Sequence, residues 1–201
     1  MTNSTIQLNK MKIYVIRHGL TELNKAKKVN GEIDEPLAKE GIEQAKAIIP
    51  LIPKSVKYIY TSPLLRARQT AEIISSKLNL PIYIQGQLTE IHMGSLAGKS
   101  WEEMEGGLVL KKKHRTVKFN YHSYGGESVE DVKKRLIPFF KNINTKHANN
   151  QVLIITHGGV IRLIHLLEYG ESVYETEKHV SLLTFDRDKI LKNYIKVQGL
   201  V

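Results

Sequence analysis

A chain of 201 residues, 41% of them hydrophobic, is long enough to bury one sizeable core. It contains no cysteine, which excludes disulfides, thiolate zinc sites and a cysteine nucleophile. Its formal charge of +10 favours an anionic partner, whether nucleic acid, an acidic membrane surface or a phosphorylated small molecule, and does not choose among them.

Residues 1–10, "MTNSTIQLNK", lack the basic start and hydrophobic segment of a secretory signal. They are expected to form a flexible extension, with a single domain over 11–201, and Met11 could serve as an alternative start. The run "KIYVI" (12–16) is β-branched and aromatic and predicts a buried strand. An amphipathic segment at 39–50 predicts a helix, although Ala38 stands where a capping Ser or Thr is expected. "VKYIYT" (56–61) predicts the next strand. In "TSPLLRARQT", Ser62 reads as the N-cap and Pro63 as the first residue of a helix running to 78.

Further strands are predicted at "PIYIQ" (81–85), "QVLIIT" (151–156), "SLLTF" (181–185) and "NYIKV" (193–197). Helices are predicted at 128–144 and 160–168. Ser128 and Asp131 form a capping-box-like pair at the first, and Pro138 is expected to kink it. The longest apolar stretch, 152–167, is broken by His157, Arg162 and His165 and falls short of the roughly 18 residues of a membrane span. No membrane association is expected, and the cytoplasm is the default location. Strands alternating with helices argue for an α/β domain, a mostly parallel sheet between helix layers.

Three predicted strands end on polar chemistry: Arg17 and His18, Thr61 and Ser62, Thr156 and His157. In a parallel sheet such ends share one edge, the usual ligand crevice. Two arginines (Arg17, Arg66), two histidines, helix starts and glycines at 19, 158 and 159 make a phosphate site by composition. Two histidines also raise the question of a metal. Flanking cations repel a divalent ion, whereas they keep an imidazole neutral and nucleophilic, so a nucleophilic histidine is preferred.

The motifs resemble those of the histidine phosphatase superfamily, the phosphoglycerate mutase-like family. "RHGLTELN", "NGEIDEPLAKEGIEQA", "YTSPLLRARQTAEII", "LTEIHMGSLAG", "GGES" and "THGG" follow one another in that family's order. The resemblance implies a three-layer α/β/α sandwich and a phosphohistidine on His18. It implies that Arg17, Arg66 and His157 hold the phosphoryl group, assisted by Asn24, Asn30, Gly31 and Gly158. Glu90 would protonate the leaving oxygen and then activate water. No metal and no organic cofactor are implied. Arg68 and Arg162 read as structural, and His92, His114, His122, His165 and His179 as peripheral.

Departures from the family's pattern narrow the activity. Leu20 replaces a usual Glu or Gln, Lys28 an arginine of the mutase branch, and His179 a common Asn. Around Glu90 the chain reads "EIHMG", and Ile91 and Met93 cannot supply the polar contacts of the mutase pattern E-R-H-Y-G. Residues 101–124 form a short insertion in place of the mutases' longer one. Phosphomonoester hydrolysis is therefore preferred over phosphoglycerate mutation, with a non-catalytic phospho-ligand or protein binder as the reading outside enzymes. The insertion's Lys111, Lys112, Lys113, His114, Arg115 and Lys118, interleaved with Phe119, Tyr121 and Tyr124, could lid the pocket and attract a second anionic group, or be a solvated basic loop. Nucleic acid fits that run loosely and is disfavoured, since no recognised nucleic-acid fold is present. The expected partner is a small phosphorylated substrate, and a homodimer stays open.

Overall fold

The run from Lys12 to Arg17 alternates which face each side chain occupies, and that alternation organises the molecule. Ile13 and Val15 join one buried cluster while Tyr14 and Ile16 join the other, on the opposite face of the same strand. The structure, a computed structural model, describes residues 12–147, 150–171 and 179–197. The expectations for residues 1–10 and Met11 lie outside them.

In chain order the strands are β1 (Lys12–Arg17), β2 (Val56–Thr61), β3 (Ile82–Ile84), β4 (Gln151–Thr156) and β5 (Leu182–Asp186). The helices are α1 (Glu22–Lys25), α2 (Lys39–Ala47), α3 (Leu65–Leu78), α4 (Gly107–Arg115), α5 (Val129–Lys146), α6 (Gly158–Tyr169) and α7 (Arg187–Val197). The sheet order is β3-β2-β4-β1-β5, parallel except for β5, which runs antiparallel to β1. Side chains of α5, α6 and α7 cover one face; α3 and the turn after α2, through Ile48, Ile49 and Ile52, cover the other. This is the expected α/β sandwich. Among the described residues no helix is long and apolar enough to cross a membrane.

Three expectations need correction. "NYIKV" is helical: it lies in α7, where Ile190 is fully buried and Leu191 and Tyr194 pack beside it at helical spacing. The start signal is Asp186, whose Oδ1 accepts from the amides of Asp188 (3.0 Å) and Lys189 (3.2 Å) while its backbone still pairs with Lys12. Ser62 does not cap α3. That helix begins at Leu65, its N-cap is Leu64, and the Leu65 amide donates to Asp34 Oδ1, 31 positions earlier in the chain. The insertion, finally, is not a simple loop, because it carries α4.

The Ser128–Asp131 capping box is present, and α5 continues through Pro138. Ala38 makes no capping hydrogen bond, as the sequence suggests.

Candidate active site

The register of β1 and β4 pairs Arg17 with Thr156, and the His18 amide donates to the Thr156 carbonyl at 3.0 Å. The Ser62 amide likewise donates to the Ile155 carbonyl at 3.1 Å. The three polar strand ends therefore lie side by side at one sheet edge, as expected of a parallel sheet.

His18 follows β1 and is only 2% exposed. Its Nδ1 lies 2.7 Å from the Gly19 carbonyl, which can only accept, so Nδ1 carries the proton. Nε2 then holds the lone pair and faces the Arg66 Nε–H at 3.2 Å. Burial above all, then the charges of Arg66 and Arg17, hold the imidazole well below its usual pKa and hence neutral. This chain bend depends on glycine. A Cβ on Gly19 would lie 2.5 Å from the Gly41 carbonyl oxygen, and one on Gly41 2.2 Å from that of Leu20, so the His18 loop and the start of α2 touch backbone to backbone.

His157 is the N-cap residue of α6, fully buried, with its ring centroid 5.0 Å from that of His18. Its Nε2 is 2.8 Å from Ser62 Oγ, which also accepts the Leu64 amide. Ser62 has thus been diverted from capping α3 to holding His157. With the Ser62 hydroxyl hydrogen directed at Nε2, the proton of a neutral His157 sits on Nδ1, a buried atom with no hydrogen-bond partner. Burial first, then Arg66, His18 and Arg17, keep this imidazole neutral as well.

Arg66 lies in the first turn of α3 and is fully buried. Beyond His18 it donates to the carbonyls of Ile33 (2.7 Å) and Gly31 (2.9 Å). Gly31, at φ +49°, adopts a conformation that favours glycine and turns its carbonyl to the guanidinium. Asn30 is fixed by donating to the Glu35 carboxylate and to Thr21 Oγ1, and its own oxygen accepts from Asn24 Nδ2. One amide hydrogen of Asn24 is thereby committed to Asn30. Arg17 lies against the first residue of α6: a Cβ on Gly158 would stand 3.4 Å from its Cζ and Nε.

Glu90 reaches the same helix start from the loop after β3. Its Oε1 accepts from the Ile91 amide (2.9 Å) and its Oε2 from the Gly159 amide (3.3 Å). A Cβ on Gly159 would sit 2.6 Å from Oε1, so the second glycine of "THGG" makes room for the carboxylate. Two residues not singled out from the sequence hold this loop. Arg135 donates to both oxygens of Glu127 (2.8 and 3.0 Å) and to the carbonyls of Gln87 (2.6 Å) and Glu90 (3.2 Å). Glu127 in turn accepts the His92 amide. Thr70 was missed too; it accepts the Gly19 amide at 3.1 Å. Glu127 and Thr70 stand inside the quoted motifs "GGES" and "RARQTA", which was the available signal; Arg135 carries none.

These residues floor a cavity of about 360 Å³ lined by His18, Arg17, Asn24, Asn30, Gly31, Glu90 and Gly158. Arg66 and His157 are not among its lining residues but adjoin it through His18, Arg66 Nε at 3.2 Å from Nε2 and the His157 ring at 5.0 Å between centroids. The insertion supplies much of the far wall, through Trp101, Glu102, Lys111, His114 and Arg115. Two histidines expected to be peripheral line it as well. His114 is buried on α4, its Nδ1 2.9 Å from the Tyr121 hydroxyl. His179 has its Nδ1 3.0 Å from the His18 carbonyl and is pushed down to about 4 by burial and Arg17. Leu20, Arg68, His92, His122 and His165 are not among the lining residues, and Ile91 is fully buried behind the site. Among the described residues no three His, Asp or Glu side chains gather as a metal site would.

A parallel-sheet crevice that sets a neutral, buried histidine against arginines and a helix start favours an anion. Residues 13–189 match the family model described as histidine phosphatase superfamily (branch 1), and the chain belongs to that superfamily. It is 33% identical over 162 residues to a metal-independent phosphoserine phosphatase of Arabidopsis thaliana, covering 77% of this chain and 67% of the relative. Among solved structures it resembles phosphoglycerate mutase from Thermus thermophilus, with 30% identity, TM-score 0.72 and coverage of 88% and 93%. A mycobacterial glucosyl-3-phosphoglycerate phosphatase complexed with VO3 shares the fold at TM-score 0.75 and 23% identity, over 87% and 92% of the two chains. Relatives of both kinds, phosphatases and mutases, therefore surround it.

Proposed function

We propose that the chain hydrolyses a phosphate monoester without a metal, through a phosphohistidine on His18. The observation that carries this reading is the state of His18: neutral, its Nδ1–H spent on the Gly19 carbonyl, its Nε2 lone pair facing the Arg66 guanidinium. A lone pair held beside a fixed cation is arranged to meet a phosphoryl group whose oxygens that cation neutralises.

In the first step Nε2 gives up the Arg66 Nε–H and attacks phosphorus in line, the P–O ester bond breaks, and the leaving oxygen takes its proton from Glu90, which enters the step as the carboxylic acid. Arg17, Arg66, the Gly158 amide and His157 Nδ1–H stabilise the equatorial oxygens, with Asn24 beside them. Asn30 and Gly31 act through Asn24 and Arg66. In the second step a water attacks phosphorus while Glu90 takes its proton, the P–N bond breaks, and its electron pair returns to Nε2. The amides of Ile91 and Gly159 keep Glu90 aimed for both transfers.

Hydrolysis is preferred over mutation because the residues beside Glu90 are apolar: Ile91 is fully buried and Met93 is 3% exposed. Neither can grip a phosphoglycerate while it turns over. The test is phosphate release in EDTA by wild type and His18→Ala over a panel of phosphomonoesters, including 3-phosphoglycerate with its bisphosphate primer. Chelator-resistant release that disappears in the variant is expected. Accumulation of 2-phosphoglycerate without phosphate would favour the mutase reading, and absence of all turnover a binding protein.

A further inference from the structure

One titratable side chain of the cavity has no part in the steps above. His179 lines the same space as His18, Glu90 and Gly158, and its ring stands edge-on to that of His18 with 5.4 Å between centroids. It also departs from the family's pattern, since His179 stands where Asn, a shorter side chain, is common.

Its place is fixed from the nucleophile's own strand. The Val180 amide donates to the Arg17 carbonyl at 3.1 Å, and His179 Nδ1 lies 3.0 Å from the His18 carbonyl, so the pairing of β5 with β1 is carried on past Leu182 and Ile16. Val180 holds φ +55°, a left-handed conformation that strains a β-branched residue. Its side chain is buried in the cluster of Tyr14 and Ile16, which keeps it there. What this strained residue holds in place is His179.

The tether also decides the tautomer. A carbonyl only accepts, so Nδ1 carries the proton and Nε2 the lone pair. Among the described residues nothing donates to that lone pair, and Nε2 is not one of the fully buried unpaired atoms, so it stays open to the space the ring lines. An Asn would keep the tether through its side-chain N–H and end short of Nε2. Burial first, then Arg17, push the ring down to about 4, and the same two effects disfavour any other cation placed beside it, a substrate ammonium included. The missing partner is therefore a neutral donor. Ionised phosphoryl oxygens only accept, so the donor comes from the alcohol half of the substrate.

Resting on the function proposed above, we infer that His179 is a specificity-determining residue whose Nε2 accepts a hydrogen bond from a hydroxyl close to the ester, and that the substrate is a hydroxylated alkyl phosphate. A hydroxyl suits the spot because it rotates to aim its single hydrogen and needs only a short carbon link to the ester, in keeping with rings 5.4 Å apart. The two nitrogens of His179 thus divide the work: Nδ1 holds the His18 loop, and Nε2 reads the substrate.

The test measures binding of 2-hydroxyethylphosphonate, propylphosphonate and 2-aminoethylphosphonate by calorimetry, which needs no turnover, in alkaline buffer that ionises each phosphonate fully. The three probes share one chain length and differ in the terminal group. Wild type is expected to bind the hydroxyl probe about fivefold more tightly than the propyl probe, the yield of one neutral hydrogen bond, and the ammonium probe no more tightly than the propyl probe. His179→Asn keeps the tether and should bring the hydroxyl-to-propyl ratio to unity. His179→Gln reaches as far as Nε2 with its carbonyl oxygen but gives up the tether, so it should weaken both probes and retain a preference; a thermal melt checks that each variant folds. A merely structural His179 would weaken both probes alike in His179→Asn and leave the ratio as it was. That result, a wild-type ratio near unity, or tighter binding of the ammonium probe overturns the inference. A hydroxyl preference lost in His179→Asn, with no His18-dependent phosphate release, would instead retain the acceptor role and overturn the hydrolase reading.

Discussion

The two sides of the cavity hold their charges differently. On the floor, His18 is 2% exposed and Arg66 fully buried, and their partners are backbone carbonyls placed by close chain contacts such as Gly19 against Gly41. On the α4 wall, Lys111 is 30% exposed and its partner is the still more exposed side chain of Glu102. Charges in a dry, preorganised site act strongly and need no rearrangement as the reaction proceeds. Charges at a wet wall act weakly and reversibly. The floor is suited to chemistry and the wall to choosing what arrives there, and each can be perturbed without the other.

The largest effect should come from the floor. Arg66→Met removes a buried cation and leaves the Gly31 and Ile33 carbonyls without their donor. We expect kcat/KM for phosphate release to fall about 10³-fold, within the range for losing a preorganised oxyanion donor, with most of the loss in kcat. A lower melting temperature should accompany it, since buried acceptors left unpaired each cost about 1–3 kcal/mol. A loss confined to KM would place Arg66 with the wall and break the comparison.

The buried histidines of floor and wall also set how stability responds to acid. His18, His114 and His157 are held well below the usual histidine pKa in the folded protein, and His179 at about 4. Below about pH 6.5 the unfolded chain takes up protons that the folded chain refuses, so stability is full above that pH and declines below it. Each such histidine contributes a slope of up to about 1.4 kcal/mol per pH unit. The decline continues down to the folded-state values, reaching about pH 4 for His179. Glu168, raised by burial, opposes it in the acid range. Melting temperature measured from pH 7.5 to 4.5 should fall accordingly, and less steeply in His157→Gln; a flat profile would mean that the histidines protonate in place.

This division explains what the sequence made legible. Strand ends at Arg17, Ser62 and His157 were visible because a hydrophobic run that stops on polar residues is a local pattern, and the parallel sheet then brings the ends together. Arg66 was visible in the turn that follows the second of these ends, and Glu90 was reached through motif order. What stayed hidden depends on distant partners. Asp34 caps α3 from 31 positions away, releasing Ser62 for His157. Arg135 steadies the Glu90 loop from the middle of α5. In "NYIKV" the strand-like residue types were overridden by Asp186, one residue that closes β5 and starts α7. The wall was half visible: its basic character was plain, but α4 lacks a side-chain cap, and only the fold shows that Lys111, His114 and Arg115 turn inward while Lys112 and Lys113 are exposed.

Salt offers the gentlest way to separate the two sides. The Debye length is about 8 Å at 0.15 M and about 3 Å at 1 M, so added salt screens exposed charges while buried ones are screened much less. Raising sodium chloride from about 0.05 to about 0.5 M should lift KM for a phosphomonoester about fivefold, because wall cations such as Lys111 attract it through water. The kcat should change less than about twofold, since the buried Arg66 and the neutral His18 stay unscreened. If kcat fell with salt as steeply as KM rose, the catalytic floor would be as open to ions as the wall, and the two sides would no longer differ in the way their burial implies.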